Sequence, residues 1–139
     1  MRMFAKILAV AVVLTLAPNS CFALWGIADV SKEQAKQLGI DVRSHAAGPV
    51  DVRVDLEFKL EGELKNFSEV NLRISDGQKL VATAPLKEDR SIPGRVVVSF
   101  TADRTRLGRL TLWMMVPGLD GGIVHELRVK DFVELEKLR

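Results

Sequence analysis

The amino-acid sequence predicts an all-β domain, an antiparallel sandwich of about six or seven strands with a short helix near its N-terminus. Three observations predict it. Residues 50–60 alternate apolar and charged side chains without a break. Further short apolar runs follow, separated by turns rich in Gly and Pro. Nothing between those runs has the length or period of a long helix.

The first 23 residues read as a cleavable signal peptide. Arg2 and Lys6 form a positive start, Ile7 to Ala17 is apolar apart from Thr15, and Cys21-Phe22-Ala23 offers small residues at its first and third places. A membrane-spanning helix takes about 20 apolar residues, and this run is too short. Lipidation of Cys21 is disfavoured by the Pro18-Asn19-Ser20 that precedes it. Cleavage after Ala23 leaves residues 24–139 as a single β-sandwich domain in the periplasm or outside the cell. The one cysteine departs with the signal, so no disulfide can form. Arg2 and Lys6 depart too, which takes the 20 basic residues to 18 against 18 acidic ones. A neutral mature chain gives no reason to expect nucleic acid, and no transmembrane segment remains.

Residues 24–30, Leu-Trp-Gly-Ile-Ala-Asp-Val, form a first strand or pack over one. Ser31 and Gln34 have capping-box spacing, Val30 and Ala35 are placed as a hydrophobic staple, and Gly39 supplies a left-handed stop. The spacing predicts a helix over 32–38. From Val50 to Leu60 the period is two, with Val52, Val54, Leu56 and Phe58 on the buried face. Val70, Leu72 and Ile74 continue it, Asp76-Gly77 is read as a hairpin turn, and Pro85 ends the strand beginning at Lys79. Residues 94–102 and 109–116 give two more strands. A Gly-rich turn at 117–122 then leads to a long last strand over 123–134 and a polar tail expected to fray.

Six strands of this kind suggest an immunoglobulin-like or fibronectin-III-like sandwich. The similarity is of architecture alone, since the Cys…Trp…Cys core of antibody domains is absent.

No arrangement of reactive residues stands out. No serine sits in Gly-x-Ser-x-Gly or Ser-x-x-Lys, and the only bases for a serine are His45, read as lying in a loop, and His125, on an apolar strand face. Asp55 and Glu57 share a strand face at about 7 Å, but Arg53 and Lys59 flank them and neutralise the pair. The chain has no tyrosine and two tryptophans, little material for a sugar platform. The glycines at 118–122 lack the Lys-Ser/Thr of a phosphate loop. No catalytic residue and no cofactor is assigned.

Two features point to a partner. Strand 109–116 is apolar on both sides, with Leu110, Leu112 and Met114 on one and Trp113 and Met115 on the other, and Val97 also breaks alternation in its own strand. Such a strand is either covered or presents an interaction surface, here Trp113, Met115 and Val97. Secondly, Arg104, Arg106 and Arg109 crowd one loop, where guanidinium groups can meet an anionic group on a partner. The sequence therefore leads to the expectation of a non-enzymatic exported binding or accessory module for a protein partner. The alternative expectation is a small periplasmic copper carrier using His125 with Met114 or Met115, since imidazole and thioether both suit copper.

Overall fold

The computed structural model describes residues 25–138, so the segment read as a signal peptide lies outside the described residues. The chain is all-β in class. Among the described residues nine strands form two sheets: β1 (Trp25–Asp29), β2 (Asp41–Ala46), β3 (Asp51–Lys59), β4 (Glu69–Asp76), β5 (Lys79–Pro85), the two-residue β6 (Glu88–Asp89), β7 (Arg95–Asp103), β8 (Leu110–Gly118) and β9 (Gly121–Arg128). A five-stranded sheet runs β1-β9-β8-β4-β5 and a four-stranded sheet β2-β3-β7-β6. The alternation read at residues 50–60 sets the core directly: Val52, Val54, Leu56 and Phe58 are buried in β3, and their neighbours across the ladder, Val96 and Val98, are buried in β7. Val70, Leu112, Met114 and Leu127 of the other sheet complete one apolar cluster. The two sheets therefore enclose a single core, with Phe58 and Phe67 meeting edge-to-face at 4.8 Å.

The structure departs from the sequence-based expectations at several points. The sheets are not wholly antiparallel, because β1 pairs parallel with β9. The helix α1 (Lys32–Leu38) links β1, at an edge of one sheet, to β2, at an edge of the other. Its ends follow from local chemistry. The hydroxyl of Ser31 accepts from the Gln34 backbone, the Gln34 amide returns to the Ser31 N–H, and Gly39 at φ 75° closes the last turn. The hairpin turn is Gly77-Gln78 rather than Asp76-Gly77, since Asp76 still pairs with Lys79 and Gly77 holds the positive φ at the first turn position.

The last strand stops at Arg128, and Val129–Phe132 turns into a short helix, α2. The tail is not frayed: Leu138 is buried, and its carbonyl accepts from Arg104 at 3.1 Å. The loop at 103–109 is a 3-10 helix whose N-terminus is capped by Asp103, with Oδ1 accepting from the Thr105 N–H at 2.8 Å. Among the described residues no helix is long and apolar enough to cross a membrane.

Candidate functional site: the outer face of the five-stranded sheet

In a paired ladder, directly opposite residues point to the same side. The register Met114 to His125 and Leu112 to Leu127 therefore faces the core, and the register Met115 to Val124, Trp113 to Glu126 and Thr111 to Arg128 faces out. Ile27 and Trp25 join the outer side from β1, opposite Val124 and Gly122. Trp25, Ile27, Trp113, Met115, Pro117 and Val124 then line an apolar groove of about 450 Å³, with Ser68 and Glu69 at its rim. Val124 is 2 % exposed although it points away from the core, so this outer face has an apolar layer of its own.

Its walls are held in place. Trp113 donates its indole N–H to Glu126 at 2.5 Å, and the guanidinium of Arg73 lies 3.5 Å from the centre of its ring. Asn71 approaches the Met115 sulfur at 3.5 Å. Trp25 lies so close over β9 that a Cβ at Gly122 would come within 2.7 Å of the ring. Glycine is required there by close approach. Ile27, at 59 % exposure, stands open at the edge of the groove.

Beyond Trp113 the same face turns basic. Arg73 of β4, Arg109 at the end of the 3-10 helix, Arg128 of β9 and Lys130 of α2 surround a concavity of about 570 Å³. Arg128 reaches Asp29 at 3.4 Å, whereas Arg73, Arg109 and Lys130 form no salt bridge among the described residues. Gly108 leaves room for the stem of Lys130, whose Cδ is 4.0 Å from where its Cβ would be.

The partner residues read from the sequence separate into distinct places. Trp113 and Met115 share the groove. Val97 does not join them, because β7 belongs to the other sheet and Val97 lies on its outer, polar side between Glu57 and Asp89. Arg104 is half-buried and engaged with the C-terminal tail, Arg106 is exposed, and Arg109 borders the basic concavity. Trp25, Ile27, Arg73, Arg128 and Lys130 were not singled out from the sequence. The apolar character of residues 24–30 was the one available signal for the first two.

The polar side of the four-stranded sheet carries a compact charged cluster. His45 lies in β2 rather than in a loop, and its Nε2 is 3.3 Å from Asp55. Asp55 also accepts from Ser99 Oγ at 2.5 Å and from Arg53 at 3.0 Å. Burial alone would raise the Asp55 carboxyl; the Ser99 and Arg53 hydrogen bonds and the nearby cations outweigh it and hold it below the usual carboxylate range. The carboxylate stands between serine and histidine, so the hydroxyl proton is directed to Asp55. A nucleophilic serine needs the imidazole in contact with its own oxygen. Glu57 is likewise taken up by Arg95 at 3.0 Å.

No protein-family model matches the chain, and no curated protein is significantly similar to it.

His125 lies on the core side of β9. It is 4 % exposed, opposite the fully buried Met114, and its Nδ1 has no hydrogen-bond partner. Beside it lies a small pocket of about 250 Å³ bordered by Gln34, Gln37 and Glu63. Burial pulls the imidazole below its ordinary pKa, and the charge of Glu63 opposes that only in part. Met115 points to the opposite side of β8, so only Met114 can share a ligand with His125. Among the described residues no three of His, Cys, Asp and Glu gather as a metal site.

Proposed function

We propose that the protein is an exported, non-enzymatic binding module that engages a protein partner through the outer face of its five-stranded sheet. One observation carries the reading: a preformed apolar groove at Trp113 and Met115, outside the core, with its walls fixed by Arg73 and Glu126. Preorganised aromatic walls lower the ordering cost of association and commonly anchor interfaces. Release of a signal peptide after Ala23 would place this face in the periplasm or the medium. We read the architecture as immunoglobulin-like. In support, β3 to β9 distribute between the sheets as strands B, C, C′, D, E, F and G of that sandwich do.

The test is a photo-crosslinking residue at Ile27, introduced in the exporting cell. The expected result is a discrete adduct with one protein, lost when Met115→Glu is added. Equal adducts from Val97, on the opposite side of the molecule, or none from Ile27, would overturn the assignment.

A second reading, a small copper carrier, is favoured by the pairing of buried Met114 with buried His125. Titration with Cu(I) in competition with a chromogenic chelator checks it. Stoichiometric uptake lost in His125→Gln would support the carrier, and absence of uptake would eliminate it.

A further inference from the structure

The groove and the basic concavity are neighbours on one face, and Trp113 stands between them with Arg73 against its ring. Along β8 the outward positions run Met115, Trp113 and Thr111, and Arg109 lies beyond them at the end of the 3-10 helix. The five steps from Met115 to Leu110 cover roughly 17 Å at a strand rise of about 3.3 Å per residue, and Arg109 follows directly. That span suits a short extended chain better than a compact small molecule. Three of the four cations at the far end, Arg73, Arg109 and Lys130, have no carboxylate partner among the described residues. Glu126, the acid facing them, is engaged by the Trp113 indole.

We infer that the occupant of this face is an extended acidic–apolar peptide segment of the partner, with a large apolar side chain in the groove and an Asp or Glu over Arg109 and Lys130. This rests on the proposed binding function and names its ligand chemistry. Opposite charges across an interface fix register and disfavour wrong partners, so the basic end would read which way the segment lies while the groove supplies contact area. Because Arg109 and Lys130 are exposed and form no ion pair among the described residues, both can be reversed without breaking a salt bridge.

The experiment is selection of random decapeptides displayed on phage against the purified protein. It is repeated on the double variant Arg109→Glu/Lys130→Glu and on the neutral control Arg109→Gln/Lys130→Gln. Enriched peptides should carry a large apolar residue and an Asp or Glu about four to six residues apart. The charge reversal should weaken them about tenfold or more and select Lys or Arg at the acidic position, with the neutral control intermediate. Apolar enrichment with no acidic position would refute this inference while leaving the groove reading intact. Acidic enrichment indifferent to Ile27→Glu would refute the groove instead. Failure to enrich any peptide, together with binding to vesicles rich in phosphatidylglycerol, would assign the face to a membrane and overturn both.

Discussion

At the scale of single residues, two positions make sharp predictions. Gly122 faces the ring of Trp25 and the carbonyl of Val116, and an added Cβ would lie 2.7 Å from each. The carbonyl belongs to the β8–β9 ladder and cannot rotate away, so Gly122→Ala should destabilise by about 1–3 kcal/mol, as overpacking does. Urea unfolding measures this, and an unchanged midpoint would mean that neither Trp25 nor the Val116 carbonyl closes on Gly122. The second is His125. Its folded pKa lies below the ordinary imidazole value because burial disfavours the cation. Below about pH 6.5 the unfolded chain takes up a proton that the folded chain refuses, so stability is complete above that pH and falls as the solution is acidified. The slope should approach at most about 1.4 kcal/mol per pH unit until the folded pKa is reached. Denaturant midpoints at several pH values check it, with His125→Gln expected to flatten the curve below about pH 6.5.

Elements were legible in the sequence where one physical signal sufficed, and obscure where two competed. The β3 strand was plain because its buried and wet positions alternate, and α1 because Ser31, Gln34 and Gly39 each supply a terminus-specific interaction. Replacing Ser31 by Ala should remove the cap and cost about 1 kcal/mol, readable in a thermal melt. By contrast β2 offers only Val42 and Ala46 to the core side, with Ser44 between them, and β6 is two residues long, so neither carries enough apolar alternation to be seen. Val129 kept the apolar rhythm of β9 going in the sequence after the backbone had already turned helical, which is why the strand was read too long. The candidate site divided the same way. Apolarity on both sides of β8 pointed to Trp113 and Met115. Arg73, Arg128 and Lys130 come from separate elements, and only the strand order brings them to Arg109. The grouping of Val97 with Trp113 failed for that reason too: apolar character gives no information on which sheet a strand joins.

At the scale of the whole molecule, the two outer faces differ in kind while the interior is shared. One face neutralises its charges internally through Asp55, Arg53, His45, Glu57 and Arg95. The other keeps apolar and cationic groups available, and both tryptophans of the sequence line its groove. Tryptophan fluorescence therefore reports on the five-stranded sheet alone, whereas far-UV circular dichroism reports on both sheets. Val52, Val54, Leu56, Val96 and Val98 of one sheet lie in the same buried cluster as Val70, Leu112, Met114 and Leu127 of the other. Opening either sheet would expose the apolar face of its partner, at roughly 25 cal/mol for each Å² uncovered. Neither sheet is then stable alone, and a domain of this size should unfold in one cooperative step. In urea the fluorescence and dichroism transitions should coincide, and Leu56→Ala, made in the sheet that holds no tryptophan, should move both together by about 2–5 kcal/mol. A fluorescence transition that stayed in place while the dichroism shifted would show that the tryptophan-bearing sheet stands on its own, and the shared core would no longer account for the fold.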